Sequence, residues 1–288
     1  LDSYSKLYFP GGRYYFTDTI NFYSTIVLEG EMPINVASFS TSSNGYPIWN
    51  PDYNDSIINN SANGNSLTIF RFNFGENENK DCIVFRNPGS IIKNIVITNN
   101  SFSMENILGG NVVSLPSEPL KPIINKNNIN GVINVKGIEN CSFIGFSGIA
   151  IKCNGYASIK ESTFNYCNLC IETLPDTVID NIRVNSSVTI SKVHALCQIS
   201  NVRGDSVRGP VFRIISDGSV FRNILIDYSL KSVFELENTE FVDIEAQCYR
   251  SCVNSWNKNI DDKGSLSLDE YFIHIPEGKI IKGKEFNL

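Results

Sequence analysis

Three short stretches, IENCSF (138–143), IKESTF (159–164) and IDNIRV (179–184), follow one pattern. The pattern is apolar, any residue, Asn, apolar, any residue, apolar, with Glu161 in the place of Asn in the second stretch. IKNIVI (92–97) and FRNILI (221–226) repeat it, and weaker copies stand at 197–202 and 239–244. From Ile138 on, the copies start 18 to 24 residues apart. A period near 20 indicates an internal structural repeat.

A second series of apolar segments falls between the copies of the first and keeps the same period. Its members start 19 to 22 residues apart: GIAIKC (148–153), NLCIET (168–173), VTISKV (188–193), PVFRII (210–215), SVFELE (232–237) and SCVNSW (251–256). Each repeat therefore holds two or three short strands. No stretch has the periodicity of a helix.

The composition favours strands joined by turns. The chain has 37 Ile and 36 Asn but only 6 Ala among 288 residues. Ile favours strands, Asn favours turns, and Ala is the strongest helix former. A leucine-rich repeat would need its own leucine frame and a helix or 3₁₀ turn, and a propeller blade would need about twice this period. We therefore predict an all-β fold, a right-handed parallel β-helix (a solenoid) with coils of about 20 residues.

This fold predicts columns of equivalent residues, because each strand pairs with the equivalent strand one coil away. One predicted apolar column holds Ile149, Leu169, Val188, Val211 and Val233. Asn94, Asn140, Asn181 and Asn223 are expected to stack at one corner, where side-chain amides can bond between coils. An outward column of mixed charge holds Lys152, Glu172, Lys192, Arg213 and Glu235, as expected of a solvated charge ladder.

We predict a single β-helix domain over 1–256, with an opening segment at 1–35 and its most regular coils at 138–256. Two insertions rich in Asn, Ser, Gly and Pro interrupt it, at 36–66 and 100–131. Residues 257–288 break the repeat and are expected to cap the last coil or lead into a further domain. Because the chain begins at Leu1 with no leader segment, we expect it to be part of a longer protein.

The segment KLYFPGGRYYFTDTINFYSTIVLEGE (6–31) resembles the opening of the pectin-lyase-like superfamily, and in particular of its bacteriophage tailspike members. The matching positions are Tyr8, Phe9, Pro10, Gly11, Gly12, Tyr14, Ile20, Ile26, Leu28 and Gly30. Pro10 and Gly11 are expected to form a turn, with Gly11 at positive φ. The resemblance implies a tailspike or tail-appendage domain that recognises host cell-surface polysaccharide. It also implies a homotrimer in the virion tail, assembled with other tail proteins and folded in the host cytoplasm.

Several partner classes are disfavoured by the sequence. The net charge is −6 with no basic stripe, so we expect no nucleic-acid partner. No apolar run is long enough to insert into a membrane. The two histidines are scattered, so we predict no metal site and no cofactor. Several of the eight cysteines replace Ile or Val in the apolar pattern, which favours buried free thiols over disulfides, including the Cys167–Cys170 pair.

Candidate binding residues lie mainly outside the regular coils. Tyr46, Trp49 and Tyr53 of the first insertion could stack on sugar rings or could pin that loop to the coil. Arg203 and Arg208 flank Asp205 in NVRGDSVRGP (201–210), which we interpret as a loop. The two arginines could clamp an acidic sugar.

Candidate catalytic residues are carboxylates, since glycosidases work with a pair of them. We single out Asp205, Asp176 and Glu235, with a solvated surface charge ladder, which includes Glu235, as the alternative interpretation. The paired aspartates, Gly-His-Gly and Arg-Ile-Lys signatures of the polygalacturonase branch do not stand on a central coil, and we find no equivalent of the pectate-lyase calcium site.

The sequence is compatible with three functions. The chain could be a glycan-recognition domain, a polysaccharide hydrolase or lyase, or a structural β-helix spacer.

Overall fold

The computed structural model describes residues 5–31, 67–74, 79–99, 102–104, 122–124, 128–185, 187–205, 207, 210–229, 232–239, 242–251 and 273–274. The strands are β1 (Ser5–Phe9), β2 (Gly12–Phe16), β3 (Ile20–Phe22), β4 (Ile26–Gly30), β5 (Thr68–Phe72), β6 (Lys80–Phe85), β7 (Ile91–Lys93), β8 (Ile95–Asn99), β9 (Phe102–Met104), β10 (Pro122–Ile124), β11 (Ile129–Glu139) and β12 (Ser142–Ile144). They continue with β13 (Ile149–Lys160), β14 (Thr163–Asn165), β15 (Leu169–Glu172), β16 (Val178–Asn185), β17 (Thr189–Val193), β18 (Gln198–Asp205), β19 (Phe212–Ile214), β20 (Ser219–Ser229), β21 (Phe234–Leu236), β22 (Val242–Ser251) and β23 (Ile273–His274). No helix occurs among these residues.

Parallel pairing between successive coils establishes the fold. Ile138 pairs with Ile159, Ile159 with Ile179, and Ile179 with Ile199, so equivalent positions lie 20 or 21 residues apart. Every described pairing between coils is parallel, and among the described strands only the short β9–β10 pair is antiparallel. The sheet curls round an axis, which confirms the predicted parallel β-helix.

Each coil contributes to three parallel sheets. Sheet 1 contains β1, β4, β7, the ends of β11 and β13, and the starts of β16, β18, β20 and β22. Sheet 2 contains β2, β5, β8, β12, β14 and the ends of β16, β18, β20 and β22. Sheet 3 contains β3, β6, the starts of β11 and β13, and β15, β17, β19, β21 and β23.

The repeated Asn marks the corner between sheets 1 and 2. Residues in the left-handed region occupy this corner in successive coils: Asn94 (φ 57°), Asn140 (54°), Glu161 (50°), Asn181 (51°), Asn201 (54°) and Asn223 (51°). The six-residue pattern is therefore two strands that meet at a bend. Asn suits the bend because it tolerates positive φ better than most residues.

The corner amides also bond between coils, as predicted. Asn140 Nδ2 donates to Asn94 Oδ1 at 3.0 Å, and Asn223 Nδ2 donates to Asn201 Oδ1 at 2.7 Å. Glu161 breaks this ladder between Asn140 and Asn181. Its backbone N–H still donates to the Asp180 carbonyl, so the bend itself is kept.

Inside the coil, like side chains stack on like. Phe143 lies over Phe164 with ring centroids 5.3 Å apart, and Phe212 lies over Phe234 at 5.4 Å. Such stacked rings add about 0.5–1.5 kcal/mol beyond the burial of their surface. The core is therefore a continuous file of aromatic and branched side chains along the axis.

One predicted apolar column is wrong by one residue. Leu169 pairs with Ile149 and with Thr189 rather than with Val188, and Leu169 and Ile149 are only half-buried. The fully buried positions beside them are Ala150 and Cys170. Because both alternations of this segment are apolar, the sequence did not reveal which one faces inward.

Six cysteines are free and buried, as the sequence predicted for thiols of the apolar pattern: Cys82, Cys141, Cys153, Cys167, Cys170 and Cys197. Burial raises the pKa of the Cys141 thiol to about 12 and raises that of Cys153 further. Protonated, enclosed thiols act as small apolar side chains.

The opening segment forms the first coil and an aromatic end to the core. The Tyr14 ring packs edge-on against Phe9 and Phe70, with centroids 5.3 and 5.7 Å away. Its hydroxyl donates to the Pro10 carbonyl at 3.1 Å and so holds the turn between β1 and β2. The positive φ of this turn lies at Gly12 (154°) and not, as expected, at Gly11.

Both predicted insertions fall between strands that flank or belong to sheet 2. The first, 36–66, lies between β4 and β5. The second begins after Asn99, the last residue of β8, and the coil resumes with β11 at Ile129, two residues before the predicted end of the insertion. In the C-terminal segment, β23 pairs with β21 and so adds one more strand to sheet 3.

The corner predicts an unusual effect of substitutions at Glu161, an exposed residue held at positive φ. We expect Glu161→Asn or Glu161→Gly to stabilise the protein by about 0.5–1 kcal/mol, because either residue adopts this conformation at lower cost. Chemical denaturation measures the difference in the free energy of unfolding. Glu161→Gln is the matched control, since it removes the charge but keeps the strain. Equal stability of the Asn and Gln variants would contradict this account of the corner.

Candidate functional site

The outer face of sheet 3 carries the predicted charge ladder in the predicted register. Lys152, Glu172 and Lys192 occupy one column, and Glu172 accepts from both lysines at 3.3 and 3.2 Å. Further along, Arg213 bonds Glu235 at 3.3 Å and also contacts Glu237. Each charge in this ladder has an opposite charge beside it.

Glu172 is the most enclosed acid of the ladder, with its side chain 12% exposed. Its burial opposes ionisation, but the hydrogen bond from Lys192 and the charge of Lys152 outweigh that effect and lower the carboxyl pKa. A carboxylate held ionised between two ammonium groups is suited to an ion pair and not to proton transfer at neutral pH.

The outer face of sheet 1 is similar. Lys93 bonds Glu139 at 2.5 Å, and Lys6 bonds Glu29 at 2.8 Å. Asp180 accepts from the Ser200 hydroxyl at 2.6 Å, which lowers the pKa of its carboxyl, and it also accepts from Asn201 at 2.8 Å. These groups satisfy one another along the stack.

The outer face of sheet 2 differs, since in the coils of β5, β8 and β12 it carries apolar side chains that are closed to solvent. Ile69, Val96 and Ile144 point away from the core, because they alternate with the core residues of the same strands, and yet they are 2%, 1% and 5% exposed. They form a second apolar cluster, separate from the core. Beside it, the buried Thr163 hydroxyl donates to Ser142 Oγ at 2.9 Å.

The next two coils of the same face are open and polar. Arg183 pairs with Arg203, and Asn185 pairs with Asp205, so two arginines stand side by side with an amide and a carboxylate beside them. Asn165 pairs with Asn185, and so extends the row of Asn185 and Asp205 toward the buried apolar cluster. Arg183, Arg203 and Asp205 are exposed, and Asn165 and Asn185 are half-buried. We call these five residues the sheet 2 polar site.

The strand beneath the site is fixed tightly to the core at Gly204. A Cβ at this position would lie 2.8 Å from Ile226 Cδ1 and 3.1 Å from Ile190 Cδ1. Glycine therefore lets two isoleucines fill the core between Arg203 and Asp205, so the two outward residues stand on a packed base.

Two of the five residues of this site were predicted from the sequence. Arg203 and Asp205 were singled out but placed in a loop, whereas both lie in β18. Arg183 was missed, although Arg183 and Arg203 each stand two residues after the corner Asn of their coil. The turn-like composition of Gly204-Asp205-Ser206 hid a strand that the register with β16 makes plain.

The other predicted acids lie elsewhere on the coil. Asp176 is in the turn between sheets 3 and 1, with φ 62°, and Glu235 is on sheet 3 in its bond with Arg213. The structure thus does not bring Asp205, Asp176 and Glu235 to one face. Arg208 and the aromatic residues Tyr46, Trp49 and Tyr53 lie outside the described residues.

The described ranges hold neither a candidate metal centre nor a candidate membrane-spanning helix. They contain no group of three or more His, Cys, Asp or Glu side chains placed to hold a metal ion. Nor do they contain a helix long and apolar enough to cross a membrane.

Comparison with known proteins adds little to this description. No family model matches the chain, and no curated protein matches it. Among solved structures, the catalytic domain of a GH87 α-1,3-glucanase in complex with nigerose is similar, with 12% identity and a TM-score of 0.40 over 84% of this chain and 50% of that one. ORF18 of Geobacillus virus E2 gives 10% identity and a TM-score of 0.40 over 85% and 52%. The chain thus spans about half of each, and similarity at this level carries no argument about function.

The Glu172 ion pairs predict a stability effect that depends on pH. We expect Glu172→Gln to lower the free energy of unfolding by about 1–2 kcal/mol at pH 7, because two lysines lose a shared, largely enclosed partner. A lowered folded-state pKa means that this contribution is complete above about pH 5 and is lost as the pH falls through that pKa, which lies below the unfolded value of about 4.3. Urea denaturation at several pH values measures it.

The matched control is Glu29→Gln, which breaks the more exposed pair with Lys6. Its effect should stay below about 0.5–1 kcal/mol. If Glu172→Gln were as mild as this control at pH 7, the structural role of the ladder on sheet 3 would be refuted.

Proposed function

We propose that this chain is a carbohydrate-binding β-helix domain of a virion tail appendage, of the pectin-lyase-like type, that engages host-surface polysaccharide through the outer face of sheet 2. The observation that carries the proposal is the sheet 2 polar site. The charged residues described on sheets 1 and 3 pair with one another, whereas this site presents two exposed guanidinium groups side by side, with Asn185 and Asp205 in the next row, on a packed base. Sugars are recognised by such convergent polar groups held on a fixed scaffold.

The appendage assignment is supported by the opening segment. Its motif residues have definite structural tasks: Tyr14 closes the first turn, and Gly30 occupies a corner where a Cβ would lie 2.1 Å from the Asn94 carbonyl oxygen. The proposal includes a parallel homotrimer in the virion tail, assembled with other tail proteins and folded in the host cytoplasm before assembly.

The test of glycan binding is an array of bacterial capsular and O-antigen polysaccharides, probed with the intact chain. We expect binding to at least one polymer and at least tenfold weaker binding by Asn185→Ala combined with Asp205→Ala, because several hydrogen bonds are lost. Glu139→Ala on sheet 1 is the control. Light scattering on the same sample measures the oligomeric state, where a monomer would contradict the trimeric part. If no polymer binds, the chain is a structural spacer.

A second candidate function is polysaccharide cleavage, and the exposed Asp205 on the outer face of sheet 2 favours it. Glycoside hydrolases work with a pair of carboxyl groups, and Asp205 is the carboxylate that stands beside the two arginines of this face. We therefore take Asp205 as the acid that a hydrolase on this face would use.

Release of reducing ends from the bound polymer tests the second candidate, and absorbance of unsaturated uronate tests the lyase form. A hydrolase predicts a loss of at least about 1,000-fold in rate for Asp205→Asn with binding kept within threefold, because the amide keeps the shape but cannot act as acid, base or nucleophile. Glu235→Gln on sheet 3 is the control and should keep full activity. An unchanged rate in Asp205→Asn would remove this site.

A further inference from the structure

The two arginines of the sheet 2 polar site depart from the pattern of charges on the rest of the coil. Arg183 and Arg203 are direct partners in the register of β16 and β18. Like charges directly opposite each other destabilise a sheet. Lys192 and Arg213 are also like-charged neighbours, but each of them holds a carboxylate of its own. Among the residues that the structure describes, neither Arg183 nor Arg203 has a hydrogen-bond or ion-pair partner for its guanidinium.

The neighbours of the pair limit where an anion could be held. Toward the first coils, Arg183 adjoins Thr163, whose hydroxyl is buried and already bonded to Ser142. Toward the last coils, Arg203 adjoins the half-buried Leu225. The two arginines thus form an isolated cationic patch that spans two coils. A closed polar surface lies on one side of it and an apolar side chain on the other.

The chemistry of the pair selects the ligand. A guanidinium is always charged at neutral pH and presents a planar fork of donors that matches carboxylate and phosphate oxygens. Two forks about 4.8 Å apart, the spacing of adjacent strands, can converge on one anionic group or on neighbouring groups of one sugar. Because the whole chain carries a charge of −6, this attraction is local and does not reflect a basic surface.

We propose that Arg183 and Arg203 form a subsite for an acidic sugar, one bearing a carboxylate or a phosphate, within the polysaccharide that sheet 2 binds. This inference rests on the proposed glycan-binding function and names its substrate class. Asn185 and Asp205, the next outward row, hydrogen-bond the hydroxyls of the same sugar. The acidic sugar supplies the negative charge that the other cationic columns of the coil obtain from their own carboxylates.

The probes are hyaluronan, polygalacturonate, polysialic acid and a phosphomannan, each compared with its carboxyl-reduced or dephosphorylated form. Calorimetry on the intact chain gives the affinity. We expect an acidic polymer to bind at least tenfold more tightly than its neutral form, and the preference to fall as salt is raised from about 50 to 500 mM because the charges are exposed. Which acidic polymers bind distinguishes the carboxylate from the phosphate.

The variants Arg183→Gln and Arg203→Gln should each weaken binding of the acidic polymer about tenfold or more, with little effect on the neutral form. Arg203→Lys keeps the charge but loses the fork, and its loss should be intermediate. Lys160→Gln removes one exposed cation from sheet 1 and is the matched control. Thermal unfolding separates binding from folding: relief of the like-charge contact should leave the glutamine variants as stable as the parent, or more so.

The outcomes separate the two proposals. Binding of neutral polymers with equal affinity, unchanged in both glutamine variants, would overturn the acidic subsite and leave glycan binding intact. Loss of thermal stability in both variants together with unchanged binding would assign the arginines to the fold and overturn it as well. An absence of binding to every polymer, here and on the bacterial array, would instead count against the proposed function.

Discussion

Hydrogen bonding between each strand and the equivalent strand one coil later is the constraint on which the rest of this structure depends. It sets the repeat near 20 residues, because a coil of different length must place its extra residues outside the strands. It also forces equivalent side chains into columns, so that Phe stacks on Phe in the core and charge meets charge outside. The corner residues at positive φ keep the three sheets in step from one coil to the next.

Much of this fold could be predicted, because the strands and the corner carry strong residue preferences. The Asn pattern located both the period and the bend, since few other residues accept that conformation. The register of sheet 3 could not be read equally well. Ile149-Ala150 and Leu169-Cys170 are apolar at both alternations, and the smaller residue of each pair faces the core. Hydrophobicity alone favours the larger residue, and only the pairing of whole strands decides between them.

The candidate site was harder to predict because it is formed by residues of different coils. Arg203 looks ordinary along the chain, and it becomes unusual only when the register places Arg183 beside it. The ladder on sheet 3 was predicted correctly because residues of opposite charge at a fixed period can be recognised in the sequence as ion pairs. A column of like charges with no opposite charge is the informative exception, and finding it requires the exact offset from the corner. Aromatic side chains in long insertions gave no such positional signal.

The insertions show how this coil accommodates added sequence. The first lies between β4 and β5 and the second between β8 and β11, and the strands on either side stay in register. A residue inside a strand belongs to a column, and its replacement must suit its neighbours above and below. A segment inserted between two strands does not have to match equivalent residues of the neighbouring coils. Evolution can therefore exchange such segments one at a time, whereas the strand positions of this chain can diverge only together.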